Sequence, residues 1–233
     1  MLFQPLTTFN FRPSIFPLLF NINFFIYICI LLRLEVNMSS NKNHPKKGSR
    51  ITVSPIRNIK DIKKIKRKLK SHPRDLLLFT LGVNNGLRIS DLLDLKVGDV
   101  RGLAPGETFQ VIEKKTGKQN VLMVNKESRK VLDVFLAEAD PGDEEFLFKS
   151  RKGVNCPITK SYVNQKVKEW TSGMRGNYGT HSMRKTFGYI QRKNFGVGFE
   201  ILCKRFGHSN PSVTMRYLGI EDKEVSGILL NEI

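Results

Sequence analysis

Four side chains near the carboxyl end of the sequence combine the chemical groups that a reaction at a phosphodiester needs. His181 and Arg184 are three residues apart, so a helix would place both side chains on one face. Arginine binds phosphoryl oxygens with paired N–H donors, histidine donates or accepts protons, and tyrosine can attack phosphorus. His208 and Tyr217 supply a second imidazole and the phenol. The set predicts phosphoryl transfer that needs no metal or other cofactor.

The order of these residues is more informative than any one of them, since a lone His-x-x-Arg pair is usually an ordinary helix face. His-x-x-Arg, then Gly-His-Ser, then Thr-x-x-Tyr resembles the carboxy-terminal signature of the tyrosine recombinases, the phage integrase family. The resemblance implies four catalytic positions in this chain: His181, Arg184, His208 and Tyr217. Of the five tyrosines, Tyr217 alone follows the Gly-His-Ser motif at the family's spacing.

An earlier arginine extends the resemblance. Gly-Leu-Arg, ending at Arg88, is followed by an acid, Asp91, and by leucines, and this arrangement is similar to the family's first arginine motif. The resemblance implies that Arg88 is the second phosphate-binding arginine and that Asp91 could brace the site. Read alone, the segment is also consistent with a surface arginine at a helix end.

A lysine on a hairpin is the sixth candidate. The runs 108–113 and 119–124 are rich in β-prone residues and flank a Gly-containing turn, which predicts an antiparallel hairpin. In the recombinase family such a hairpin carries a catalytic lysine, and the Lys-Thr-Gly sequence implies that it is Lys115. Lys114 and Lys118 remain alternatives, because lysines at a hairpin tip are often simply solvated.

The remaining pattern is helical. Apolar residues recur at helical spacing in five segments. These segments are 59–69, 76–83, 126–139, 159–170 and 197–206. We therefore expect a mainly α fold with a small antiparallel β-hairpin sheet, an α+β fold like the tyrosine-recombinase catalytic domain. The tail 221–233 has an apolar face that would pack on its own domain or on a neighbouring protomer.

The composition favours DNA as the partner. The chain has 39 Lys and Arg against 21 Asp and Glu, a net charge of +18, which indicates a polyanionic ligand. Its three cysteines show no metal-ligand or disulfide spacing, so we expect a reducing, cytoplasmic location on DNA. Four acids at 140–145 crowd one turn, which is typical of a solvated loop and not of a metal-dependent nuclease.

The sequence predicts three regions. Residues 1–37 are largely apolar, and we interpret them as an extension upstream of a natural start at Met38, with a membrane segment as the alternative. Residues 38–55 read as a basic flexible arm, and 56–233 as the catalytic domain. Typical family members carry a separate DNA-clamping domain first, and too few residues precede the catalytic region here. An accessory protein supplying that clamp is therefore an expected partner.

The resemblance implies site-specific strand exchange in double-stranded DNA, by a homo-oligomer assembled on the DNA. Cleavage and rejoining would pass through a 3′-phosphotyrosyl intermediate at Tyr217. Two other functions remain open at this point: a DNA-binding regulator that does not cleave, and a type IB topoisomerase that relaxes DNA without joining two sites.

Overall fold

The computed structural model describes residues 52–220. The predicted extension at 1–37, most of the predicted arm and the tail at 221–233 lie outside the described residues. The helices are α1 Ile59–Lys68, α2 Pro73–Asn85, α3 Ile89–Leu92, α4 Gly98–Arg101, α5 Lys126–Ala139, α6 Lys160–Trp170, α7 Thr180–Phe195, α8 Phe199–Phe206 and α9 Pro211–Leu218. The strands are β1 Thr108–Ile112 and β2 Gln119–Met123.

The predicted fold class is confirmed. The two strands form an antiparallel sheet, with Thr108 opposite Met123 and Ile112 opposite Gln119. Most predicted helices begin and end close to the expected residues. The predicted helix at 197–206 begins at Phe199 instead, because Gly196 has a left-handed φ of 67° and closes the preceding helix.

Local sequence explains where several helices begin. Proline occupies the first turn of α2 and of α9, where a missing backbone N–H costs nothing. Asparagine side chains cap the starts of two helices. Asn125 accepts from the Ser128 amide ahead of α5, and Asn210 accepts from the Val213 amide ahead of α9. The helix that carries the predicted nucleophile therefore has both a proline and an asparagine cap.

The main core forms around α2, which buries Leu77, Leu78, Phe79 and Leu81. Phe79 meets Trp170 of α6 edge to face, with ring centroids 5.9 Å apart. A second, smaller apolar cluster joins α7, α8 and α9 and is built on Leu202, Phe206 and Leu218. That second cluster supports the residues of the predicted site.

Two glycines allow the close packing that the site requires. Gly86 ends α2 with φ 63°, and a Cβ there would lie 2.4 Å from the Phe187 ring. A Cβ at Gly188 of α7 would lie 2.6 Å from Phe206 and 2.8 Å from Leu218. Because neither position has a side chain, α7 packs directly against the end of α2 and against α8 and α9.

The start of the described chain is fastened to the site helices. The Ser54 amide donates to the Asn177 carbonyl at 2.7 Å, and the Ile56 amide donates to Thr186 Oγ1 at 2.8 Å. Arg57 donates to the Gly219 carbonyl at the end of α9. None of the helices between residues 52 and 220 is sufficiently long and apolar to span a bilayer.

Candidate active site

Arg184 lies at the centre of the site and is only 3% exposed. Its Nη1 donates to the Gly86 carbonyl at 2.7 Å, and its Nη2 donates to the Phe206 carbonyl at 2.8 Å. The guanidinium also lies over the Phe206 ring, 4.7 Å from the centroid. An arginine has five N–H donors, so these two bonds fix its plane and leave donors for a phosphate. Burial lowers its pKa, and the nearby charges of Tyr217 and Arg88 act in opposite directions.

Arg88 precedes α3 and forms an ion pair with Glu113, with 2.5 Å between Nη1 and Oε2. Glu113 directly follows β1, lies on the same inward side as Val111 of that strand, and is 3% exposed. Its two oxygens also accept from Thr116 Oγ1 and from Asn120 Nδ2. Burial alone would raise the pKa of this carboxyl, but the three hydrogen bonds and the Arg88 charge lower it to about 2. Glu113 is therefore ionised at neutral pH and holds Arg88 in position.

The hairpin tip distinguishes between the candidate lysines. Lys114 forms an ion pair with Asp94 at 2.5 Å, so its ammonium already has a carboxylate partner. Lys115 is exposed, and its charge lies close enough to His181 to lower the pKa of that imidazole. Lys118 is also exposed. Lys115 is thus a hairpin lysine whose charge acts on His181, and the choice between it and Lys118 stays a prediction.

His181 lies in the first turn of α7 and is exposed at the mouth of the site. Partial desolvation lowers its pKa, and four surrounding cations lower it further. Those cations are Arg184, Lys185, Arg88 and Lys115. The imidazole is therefore kept neutral around pH 7, the state in which it can accept a proton.

His208 follows α8 and packs on the ring of Tyr217, with 5.1 Å between the centroids. Its Nδ1 shares a hydrogen bond of 2.9 Å with Oγ1 of Thr214, which is fully buried. Desolvation lowers the pKa of His208, and the Arg184 and Arg88 charges add to this effect. Thr214, which the family pattern also matched, therefore orients a histidine of the site.

Tyr217 directs its phenol into the site. The phenol oxygen is buried and has no hydrogen bond of standard geometry, while its ring contacts Phe206 at 5.6 Å. Desolvation raises the pKa of the phenol. That rise is opposed by the charge of Arg184, by the approach of its guanidinium to the phenol oxygen outside standard hydrogen-bond geometry, and by the charge of Arg88. The predicted nucleophile and both predicted arginines thus lie together within one chain.

Asp91, expected to brace the site, lies beneath the lysine hairpin. It is 1% exposed, and its Oδ1 accepts from the Lys114 amide at 3.2 Å and from Ser90 Oγ at 3.1 Å. Its charge also raises the pKa of Arg184. Asp91 therefore supports the base of the lysine hairpin, while the direct carboxylate partner of Arg88 is Glu113.

Sequence reasoning missed Glu113 and Arg205. The sequence does carry a signal for Glu113, since period-2 alternation places it on the same inward face as Val111. An acid buried on that face needs a cation as its partner. Arg205 of α8 donates to the Asn85 and Val121 carbonyls and to Asn120 Oδ1. Its position on an amphipathic helix gave no comparable signal.

The acidic loop at 140–145 is organised by ion pairs. Three of its carboxylates pair with cations: Asp143 with Arg101, Glu144 with Lys96, and Glu145 with Lys149. Across residues 52–220, His, Cys, Asp and Glu side chains nowhere gather in a group of three or more that could hold a metal ion.

The family model described as "Phage integrase family" matches residues 55–224, which include every candidate site residue. The chain belongs to the phage integrase family. A probable integrase/recombinase of Bacillus subtilis (strain 168), YoeC, is 34% identical over 175 residues, covering 73% of this chain and 91% of that protein. The resemblance inferred from the motifs is therefore confirmed at the level of the family.

Longer recombinases match over part of their length. Tyrosine recombinase XerC of Caldanaerobacter subterraneus is 26% identical over 65% of this chain and 43% of its own length. A tyrosine recombinase of Pseudothermotoga lettingae is 28% identical over 70% of this chain and 56% of its own. The chain thus spans about half the length of these integrase-family relatives.

Solved structures support the same fold. The XerA recombinase superposes with a TM-score of 0.63 at 18% identity, over 79% of this chain and 68% of that one. XerH site-specific recombinase, in a post-cleavage complex with its palindromic difH substrate, gives 0.62 at 20% identity, over 80% and 55%. At such identities the likeness establishes the integrase-family catalytic fold.

Proposed function

We propose that this protein is a site-specific DNA recombinase that cleaves and rejoins strands through Tyr217. The observation that carries the proposal is the convergence of Arg88, Arg184 and the buried phenol of Tyr217 in a single chain. A tyrosine surrounded by cations is suited to attack on a phosphodiester, because the cations stabilise both the phenolate and the phosphoryl oxygens. The basic net charge of +18 fits a DNA substrate.

In the proposed reaction, Tyr217 Oη attacks the scissile phosphorus and loses its proton. The bond between phosphorus and the 5′-oxygen breaks, which leaves a 3′-phosphotyrosyl link and a free 5′-hydroxyl. Arg88 and Arg184 bind the non-bridging oxygens, where negative charge is greatest in the transition state. A second 5′-hydroxyl then attacks the phosphotyrosine and releases the tyrosine, so the strand is rejoined without ATP, metal or another cofactor.

The remaining residues would handle protons and orientation. Lys115 protonates the leaving 5′-oxygen, and His181, kept neutral by its cationic neighbours, accepts the proton of the tyrosine. His208 packs on Tyr217 and contacts the phosphate through the nitrogen that does not bond Thr214. Because Tyr217 lies beside its own Arg184, we propose that the tyrosine cleaves in cis.

The partners follow from the same proposal. Structures of lambda integrase are of a dimer bound to a core site and a tetramer bound to a Holliday junction. We propose that this chain likewise acts as a homo-oligomer on double-stranded DNA in the cytoplasm.

The decisive experiment is trapping of the covalent intermediate. A nicked duplex that loses its 5′-hydroxyl fragment after cleavage should accumulate a protein–DNA adduct in EDTA, and Tyr217→Phe should abolish the adduct. Tyr189→Phe, on α7, is the matched control and should retain it. An adduct that survives Tyr217→Phe would place the nucleophile elsewhere. Tight binding without any adduct would favour a non-cleaving regulator, and relaxation of supercoils without joining of two sites would favour a topoisomerase.

A further inference from the structure

Lys185 is a buried cation beside the proposed nucleophile. It directly follows Arg184 on α7 and is 6% exposed. Its ammonium lies over the Tyr217 ring, 5.0 Å from the centroid. Within residues 52–220 it forms no ion pair with a carboxylate, and desolvation lowers its pKa. The aromatic ring is therefore the group that compensates for burying this charge.

A buried lysine is a poor choice for stability alone. Removing an ammonium from water is unfavourable, and an aromatic face returns only part of that loss. A methionine of similar length would fill the same space without desolvating a charge. This position therefore holds a cation at a cost to folding, and the group facing the cation is the side chain that must ionise for cleavage.

We infer that Lys185 is a further functional residue, which stabilises the phenolate of Tyr217 during strand cleavage. The inference rests on the proposed function. A cation over an aromatic ring is attracted by the electron density of the ring, and that density rises when the phenol loses its proton. Lys185 therefore binds the ionised tyrosine more strongly than the neutral one, and only such differential binding lowers the barrier.

The same interaction also serves rejoining. When the 5′-hydroxyl attacks the phosphotyrosyl link, the tyrosine oxygen leaves as phenolate and the electron density of its ring rises again. A cation on the ring face stabilises this leaving group as it stabilises the nucleophile. Removing Lys185 should therefore slow both cleavage and rejoining.

Lys185 acts among several other charged groups. Tyr217 is also faced by Arg184 from α7, by Arg88 ahead of α3 and by the His208 ring after α8. The charge of Lys185 additionally lowers the pKa of His181, four residues earlier on α7. Because these cations remain when Lys185 is replaced, we expect a partial loss of rate.

The first test measures cleavage. Lys185→Met removes the charge but keeps the length, and should slow single-turnover adduct formation by about tenfold with unchanged DNA affinity. Lys185→Arg keeps a cation on the ring and should recover most of the rate. Lys130→Met, an exposed helical lysine of α5, is the control for removal of one charge and should cleave normally. Equal cleavage by Lys185→Met, or an equal loss of affinity and rate, would overturn the inference.

The second test needs no cleavage. With 3,5-difluorotyrosine at position 217, whose two fluorines bring the phenol pKa below the range in which a lysine loses its proton, the pH dependence of the fluorine NMR signal reports phenol ionisation in DNA-free protein while Lys185 still carries its charge. Lys185→Met should move that titration to higher pH, and Lys185→Arg should restore it. The melting temperature of Lys185→Met should be equal to or above that of the parent, since a buried charge is removed. An unmoved titration, or a lower melting temperature, would make Lys185 merely structural.

These tests separate the two proposals. If the parent protein forms no adduct that depends on Tyr217, the proposed recombinase function fails, while the fluorine titration still judges Lys185. If the parent forms the adduct and Lys185→Met matches it at every pH, the function stands and the Lys185 inference fails.

Discussion

Glu113 is the carboxylate that pairs with Arg88, the first arginine of the site. Its carboxylate lies 2.5 Å from Arg88 and accepts from Thr116 and Asn120, both of the lysine hairpin. The acid therefore connects the arginine to the hairpin that carries Lys115. A residue that holds both groups determines their relative position, and active-site chemistry is sensitive to such positions.

Replacing Glu113 by glutamine tests this role. Glu113→Gln keeps the shape but removes the charge, so at pH 7 it should lower unfolding stability by about 1.5–3 kcal/mol and slow cleavage more than it weakens DNA binding. The folded pKa of about 2 lies below the ordinary value of 4.5. The carboxylate therefore contributes its full stability above about pH 4.5 and loses it as the pH falls towards 2.

The measurement is a series of melting temperatures from pH 7 to pH 3. The difference between parent and Glu113→Gln should shrink as the pH falls below about 4.5. Asp94→Asn removes the half-exposed partner of Lys114 on the same hairpin, and should change stability by less than about 1 kcal/mol. A constant difference across the pH series would mean that the ionised carboxylate is not the stabilising species.

At the scale of single residues, motif order located the groups that the structure brings together. Arg184, His208 and Tyr217 could be found because their types and spacing are distinctive. Glu113 and Lys185 were missed, because a glutamate at a strand end and a lysine on a helix are common at surfaces. Strand alternation places Glu113 on an inward face but does not identify Arg88 as its partner. Lys185 is revealed by its burial alone, and burial depends on tertiary packing that a single sequence does not give.

At the scale of elements, the site depends on how the hairpin docks on the helices. Arg205 of α8 donates to the carbonyls of Asn85 and Val121, and to Asn120 Oδ1 at 2.5 Å. Asn120 in turn donates to Glu113 at 3.0 Å. A hydrogen-bonded chain thus runs from α8, which is followed by His208, through the hairpin to the partner of Arg88.

Arg205→Ala should loosen the hairpin without removing a group that reacts. We expect cleavage to fall by about 10- to 100-fold, the scale of a small displacement at a reacting centre. A substrate with a 5′-bridging sulfur has a leaving group that needs no proton, so it should restore most of the rate, as it should for Lys115→Ala. Faster hydrogen exchange at the Val121 amide should accompany the defect.

A control variant and a second substrate show whether Arg205→Ala slows cleavage through the hairpin. Lys204→Ala changes an exposed neighbour on the same helix and should leave both cleavage and exchange unchanged. If Arg205→Ala is equally slow on normal and sulfur-containing substrates, the hairpin lysine is not what Arg205 positions. The roles of α8 in supporting His208 and Phe206 would then account for the defect.

The elements themselves were largely predictable, and their docking was not. The hairpin and the helix at 126–139 follow from local pattern, because alternation and helical spacing are properties of neighbouring residues. Gly86 and Gly188 mark where α7 approaches other helices, but a glycine in sequence does not say which partner it admits. The hydrogen bonds between α8 and the hairpin join residues more than 80 positions apart and leave no local trace.

At the scale of the whole molecule, affinity for DNA should come mainly from basic charge. The chain carries +18, and the positive residues are spread well beyond the site. Residues 1–37 contain two arginines and one glutamate, so a chain that begins at Met38 retains nearly all of the charge. We propose that such a chain binds DNA as the full sequence does, which direct comparison of the two proteins would check.

Helix α1 offers the densest basic surface among the described elements. Lys60, Lys63 and Lys64 are exposed on it, whereas Lys66 is half-buried and paired with Glu127 at 2.7 Å. Exposed lysines on one helix suit a phosphate backbone, because each phosphate that a lysine neutralises releases a condensed counterion. We propose that α1 binds DNA phosphates outside the cleavage site.

Changing Lys60, Lys63 and Lys64 together to glutamine should weaken DNA binding most at low salt. The slope of log affinity against log salt should become shallower by about 1 for each phosphate that is no longer neutralised. Cleavage at saturating DNA should be unchanged, since none of the three belongs to the site. Changing Lys126 and Lys130 of α5, which are also exposed, is the control for the removal of charge alone. If both sets flatten the slope equally per lysine, the attraction comes from overall charge and α1 does not bind the phosphates specifically.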